Sequence, residues 1–164
     1  MTDRFERFSF ALFEISRHWH RLSAEEMVPY GLKGTHSIYL LTLPKYPDGI
    51  AAPQLGELCG RDKSDVSRMM SILEQKRLVT KSGVHQNCYG GVFRLTQAGK
   101  AAAGHVRERA SRAVALAGKD LTEQTREVFY EALESIARNL RVLSKEGIGK
   151  ASSALTALKK YTRS

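Results

Sequence analysis

The chain has 164 residues, 42% of them hydrophobic, with 26 Lys and Arg against 17 Asp and Glu, a net charge of +9. That length and apolar content suit one domain with helical extensions and exclude wholesale disorder. The basic excess favours a polyanionic partner, either nucleic acid or an anionic membrane surface, and composition alone does not choose between them.

The elements follow in chain order. Phe5, Phe8, Leu12, Ile15, Trp19 and Leu22 recur three and four apart, which places them in one stripe of a first helix. Phe10, Ala11 and Phe13 widen that apolar surface, so the helix needs more than one neighbour, and a partner subunit is one candidate. Pro29 and Gly31 break the chain; Thr35 to Leu43 reads as a second helix ended by Pro44, and Pro44 to Gly49 as a turn. Ile50 and Ala51 suit a very short strand, and Pro53 opens a third helix at its first position, with Leu55 and Leu58 or Cys59 inward.

Asp62 is placed to cap a fourth helix running to about Arg77, with Val66, Met69, Met70 and Leu73 on its inner face. Leu78–Lys81 and Val92–Leu95 are strand candidates around a stretch rich in Gly, Ser and Asn, together a hairpin wing. Thr96 caps a helix to about Ala117. Thr122 caps a last long one, whose Phe129, Leu133, Ile136, Leu140 and Leu143 form a second seam, ending near Lys145 and Gly147. Residues 151–161 suit one more short helix.

Two short helices joined by a Gly-containing turn, with basic residues around the second, are the minimal apparatus for placing a helix in a DNA major groove. Short polar residues at the start of that helix can approach phosphates and base edges, and Ser64 and Ser67 suit this. Arg68 suits a bidentate guanine contact or a phosphate. Asp65 reads either as a capping-box carboxylate or as an acceptor for a cytosine amine. Gln54, Lys63, Lys76, Arg77 and Lys81 extend the polar and basic surface.

The order of elements over residues 5–145 resembles the MarR family of winged-helix transcription regulators. The resemblance is sharpest over residues 53–100. It rests on Gln54-Leu55-Gly56-Glu57, Gly60, Asp62-Lys63-Ser64, Val66-Ser67-Arg68, Leu73-Glu74, Leu78-Val79, Leu95-Thr96 and Gly99-Lys100. It implies a mainly α fold: a winged helix-turn-helix of three helices and a hairpin over 33–96, and a helical dimerisation layer from 1–30 and 97–145. Residues 146–164 are left as a tail. It further implies a cytoplasmic homodimer that binds double-stranded DNA at a pseudo-palindromic operator, usually as a repressor. Many members release DNA on binding a small anionic or phenolic effector, or on oxidation of a cysteine. One departure concerns the wing. Asn87-Cys88-Tyr89 stands where members commonly carry Asp-x-Arg, so the Arg that would enter the minor groove is missing. His85, Tyr89 and Lys81 remain as phosphate contacts, and specificity should then rest on the Ser64–Arg68 segment.

The remaining features are assigned plainer roles. Cys59 replaces an apolar core position, and Cys88 has neither an evident thiolate-stabilising neighbour nor a resolving partner. His18 and His20 point to different helix faces, and His85 and Cys88 lack further ligands, so neither metal nor cofactor is expected. No phosphate loop, nucleophile elbow or metalloprotease motif is present, which sets an enzyme aside. Charges interrupt any leader-like run in the first twenty residues, and no stretch approaches the ~18 apolar residues of a membrane span. A reducing cytoplasm is the expected location. The alternative is a winged-helix protein-interaction module that does not bind DNA specifically. The basic helix-turn-helix argues against it, and the altered wing slightly for it.

Overall fold

The structure, a computed structural model, describes residues 3–83 and 91–149. Its helices are α1 (Arg4–Met27), α2 (Ser37–Thr42), α3 (Ala52–Cys59), α4 (Lys63–Gln75), α5 (Gln97–Ala117) and α6 (Glu123–Glu146). Its strands are β1 (Ile50–Ala51), β2 (Val79–Ser82) and β3 (Val92–Leu95). Two compact units divide it, one up to Val114 and one from Ala115.

The first unit holds the core. Met27, Tyr39, Leu40, Leu43, Ile50, Leu55, Val66, Met70, Leu73 and Val79 are fully buried. Leu40 and Leu43 come from α2 and its end, Leu55 from α3, and Val66, Met70 and Leu73 from the inner face of α4. Ala102, Ala103 and Val106 bring the start of α5 onto the same cluster. Two adjacent alanines leave room for close approach of that helix.

The sheet is antiparallel in the order β1-β3-β2. Ile50 stands opposite Phe93, and Val79 opposite Leu95, so the apolar face of the sheet closes the core. The wing is thus anchored through β3 to both β1 and β2. Its tip, residues 84–90, lies outside the described residues.

Several boundaries differ from the sequence reading. The second helix is shorter, with 3-10 turns at Gly34–His36 and Leu43–Lys45 on either side, because Gly34 and Pro44 interrupt the α pattern. Pro53 follows Ala52 rather than opening α3. The first wing strand is shifted by one residue, because Leu78 is used to finish the preceding helix cap. The proposed helix over 151–161 lies outside the described residues.

Helices α3 and α4 end by the same device, built from different residues. After α3, Arg61 N–H donates to Gly56 O at 2.8 Å and Gly60 N–H to Glu57 O at 3.3 Å, with Gly60 at φ 63°. After α4, Leu78 N–H donates to Leu73 O at 3.0 Å and Arg77 N–H to Glu74 O at 2.9 Å, with Arg77 at φ 58°. Both are Schellman caps, in which the left-handed position favours glycine. An arginine there carries a steric cost of about 1 kcal/mol. Arg77→Gly should therefore raise stability by about 1 kcal/mol, read as a higher urea midpoint at unchanged slope. An unchanged or lower midpoint would mean that the Arg77 side chain contributes more than its backbone costs.

The second unit contains the rest of the last long helix pair. Thr122 Oγ1 accepts the Thr125 N–H at 3.2 Å and caps α6, and Arg126 donates to Gly118 O at 3.0 Å across the turn before it. Along α6, Val128, Phe129, Leu133, Ile136, Leu140 and Val142 are exposed. The stripe of α1 is exposed as well, from Phe5 at 72% to Trp19 at 39%, and Phe10 and Phe13 beside it are also exposed. Among the described residues, no helix is long and apolar enough to cross a membrane.

Candidate nucleic-acid interface

The helix-turn-helix is held rigidly from behind. Gly56 is buried, and a Cβ there would lie 2.8 Å from Arg61 O and 3.3 Å from Val66 Cγ2. Glycine thus lets α3 press against the turn and fixes the angle at which α4 leaves it. Cys59 packs beside this contact, with its thiol donating weakly to Thr42 Oγ1 at 3.8 Å. Burial pushes the Cys59 thiol pKa up, away from the reactive thiolate, in keeping with a small core side chain.

Asp62 caps α4, as its position suggested. Its Oδ1 accepts the Asp65 N–H at 2.8 Å and the Ser64 hydroxyl at 2.9 Å. The bond from the Asp65 amide, then that from the Ser64 hydroxyl, hold the Asp62 carboxyl below the usual carboxylate range. A lowered folded-state pKa contributes stability above the unfolded value, and that contribution is lost as pH falls through the folded value. The cap is therefore complete at neutral pH.

The Asp65 carboxylate makes ion pairs that the sequence reading did not include. It does not return to the Asp62 backbone as a capping box would; it accepts from Arg68 Nη2 at 2.5 Å and lies 3.7 Å from Arg61 Nε. Two guanidinium groups, one in the turn four residues before and one on the helix three residues after, attract the carboxylate more strongly than one neutral amide does. The side chain of Asp65 is only 19% exposed, while that of Arg68 is 68% exposed.

The other sequence-derived residues are placed as follows. Gln54 lies exposed on the first turn of α3. Lys63, Ser64, Ser67 and Arg68 lie exposed along the first two turns of α4, opposite the buried Val66, Met69 and Met70. Lys81 sits on β2 opposite Phe93, and its ammonium lies 5.7 Å from the centre of that ring. A cation–π contact therefore holds its stem against the sheet. His85 and Tyr89 lie outside the described residues, as does Cys88.

The structure adds three residues that sequence reasoning missed. A cleft of about 490 Å³ runs between α4 and the turn leading to α2, lined by Lys33, Thr35, His36, Arg61, Asp65, Arg68, Met69 and Ile72 among others. Arg61 stands one residue before the Asp62 cap and was passed over as a turn residue, whereas nothing local links Lys33 and Thr35 to the helix. Lys33 and Thr35 meet α4 only when residues some thirty positions apart fold together. Thr35 donates to Met69 Sδ at 3.9 Å across the cleft. Beneath it His36 is 1% exposed; its Nδ1 accepts the Lys33 N–H at 3.1 Å, and its Nε2 has no partner among the described residues. Tyr39 is fully buried nearby, and its hydroxyl pKa is pushed up to about 12, first by burial and then by the charge of Asp65.

The charges facing this cleft are Lys33, Arg61 and Arg68 against Asp65. These three cations make a basic rim to the cleft, and Lys63 stands exposed on the first turn of α4. Such a rim can take phosphate oxygens, while the exposed Arg68 and the serine hydroxyls can reach base edges. Among the described residues there is no group of three or more His, Cys, Asp or Glu side chains able to hold a metal.

No protein-family model and no curated protein matches this sequence. Solved structures do resemble it. A MarR-family transcriptional regulator from Listeria monocytogenes, solved with a 26-mer DNA, superposes with a TM-score of 0.73 at 22% identity, covering 90% of this chain and 97% of its own. One from Rhodococcus sp. RHA1 gives 0.71 at 17% identity, covering 84% and 96%. CouR from Rhodococcus jostii RHA1, bound to p-coumaroyl-CoA, also gives 0.71 at 17% identity, with the same coverage. The helix order, the three-stranded sheet and these superpositions agree: the chain has the fold of the MarR-family winged-helix transcriptional regulators.

Proposed function

We propose that this protein is a sequence-specific regulator of transcription that binds double-stranded DNA through α4 as a homodimer and represses from a pseudo-palindromic operator. The observation that carries the reading is the exposed face of α4, where Lys63, Ser64, Ser67 and Arg68 stand on a rigidly packed helix beside Lys33 and Arg61. In this reading Arg68 and Ser67 reach bases. Gln54, Lys33, Thr35, Arg61, Lys63, Ser64 and Lys81 serve the backbone, with His85 and Tyr89 of the wing. Residues 33–96 form the DNA-binding lobe, and 1–30 with 97–145 form the dimerisation layer. The Listeria protein, which shares the fold, was solved with DNA.

The exposed apolar stripes of α1 and α6 support the dimer, because a soluble monomer rarely leaves such contiguous surface open. A two-fold pair would place its recognition helices about 34–36 Å apart, one turn of DNA. Sedimentation at micromolar concentration should give twice the chain mass with no monomer boundary. A monomer would remove the dimer and the palindrome together.

A small-molecule effector belongs to the same reading. CouR, which shares the fold, was solved with p-coumaroyl-CoA. Selecting duplexes from a random-sequence pool with the purified protein tests the whole proposal. Enriched duplexes should contain an inverted repeat with half-sites about ten base pairs apart. A pool that stays random after several rounds would contradict it.

A further inference from the structure

Asp65 is an unexpected residue for a surface that meets a polyanion. A carboxylate on the first turns of a DNA-reading helix repels the phosphates on both sides of the groove. It does not serve as the helix cap, since Asp62 fills that role. Its exposure, 19%, is far below that of Arg68, so it is poorly placed to reach a base itself. Its oxygens are engaged by Arg68 Nη2 at 2.5 Å and approached by Arg61 Nε at 3.7 Å.

We propose that Asp65 is a positioning and specificity residue: its carboxylate ties Arg68 to Arg61 along the cleft, so that Arg68 meets the groove already oriented. The inference rests on the DNA-binding reading above. A guanidinium has five N–H donors in a fixed fork, and one bond to Asp65 leaves donors free for a guanine edge. Holding the fork beforehand removes rotamer entropy that a free arginine would lose on binding. The same negative charge weakens attraction to every phosphate backbone alike. Only a sequence that presents the right base edge to the held guanidinium recovers the loss. Asp65 thus raises discrimination by lowering affinity for DNA in general.

Three variants separate charge from geometry. D65N keeps the shape and removes the charge. It should raise affinity for random duplex about fivefold, the size expected of one charge removed from near two or three phosphates in water. Its salt slope should steepen by about one unit. Affinity for a duplex selected by the wild type should change less than about twofold, so the selected-to-random preference falls about fivefold. D65E keeps the charge on a longer arm; its salt slope should match the wild type while its preference falls. In R68A/D65N the loss of preference caused by D65N should vanish relative to R68A alone, because Asp65 acts through Arg68.

Anisotropy titrations of full-length proteins on both duplexes give these quantities, with matched melting curves for folding. D65N with wild-type slope and preference would overturn the proposal and leave the DNA reading standing. Wild-type protein that binds neither duplex would overturn both.

Discussion

Replacing Gly99 by alanine should cost about 3 kcal/mol of stability, although the change adds one methyl group. A Cβ at Gly99 would lie 1.9 Å from Leu78 O, 2.9 Å from Leu78 C and 3.1 Å from Leu95 Cδ2. The contact is with backbone, so no side chain can move aside. Nor can the backbone shift freely. Leu78 O accepts the Thr96 N–H at 3.0 Å, Thr96 Oγ1 donates to Arg77 O at 2.7 Å, and Gly99 N–H donates to Thr96 Oγ1 at 2.9 Å. These bonds clamp the start of α5 to the entry of β2. Overpacking alone costs about 1–3 kcal/mol, and each hydrogen bond lost adds about 1 kcal/mol. Gly104 is the internal control: it lies in the same helix, and none of the described residues comes within 4 Å of where its Cβ would stand. Gly104→Ala should be neutral or stabilise by up to about 1 kcal/mol. Urea titrations of both variants check the pair, and equal midpoints would mean that the Gly99 clamp is looser than its geometry.

Arg68→Ala should weaken binding to the selected duplex by about 1–3 kcal/mol and relax the preference at one base position of each half-site. Arg68 is the exposed guanidinium on the outer face of α4, and Asp65 holds it in place. Lys63→Ala should act differently. Lys63 stands exposed at the first position of the helix, where a phosphate contact carries no sequence information. Its loss should weaken all duplexes alike and lower the salt slope by about one unit. Titrating both variants against selected and scrambled duplexes distinguishes the roles. Arg68→Ala at wild-type affinity and preference would mean that α4 docks by another face.

Much of this was legible in the sequence because the signals were local. Asp62 and Thr122 could be read as caps because a cap and its amide lie three residues apart. Val66, Met69, Met70 and Leu73 could be read as an inner face because helical period shows without knowledge of what it packs against. The stripes on α1 and α6 were equally plain, and they remain exposed in the single chain.

What the sequence hid was tertiary. Lys33 and Thr35 join the candidate interface only because the turn before α2 folds beside α4. Asp65 looked like a capping-box residue by spacing, but two arginines outcompete the backbone for its carboxylate. Arg77 gave no sign of a left-handed backbone, since its residue type argues against one. The clamp at Gly99 was visible only as a family-like Gly-Lys pair, with no hint of the carbonyl it must clear.

In the proposed function, the exposed face of α4 reads DNA sequence. The most direct test is to titrate the wild-type protein onto a labelled selected duplex and onto a scrambled duplex of the same composition, from about 50 to about 200 mM salt. The selected duplex should bind at least about a thousandfold more tightly near physiological salt, and both affinities should fall linearly in log–log form with added salt. Equal affinity for the two duplexes, or binding that does not respond to salt, would contradict that function.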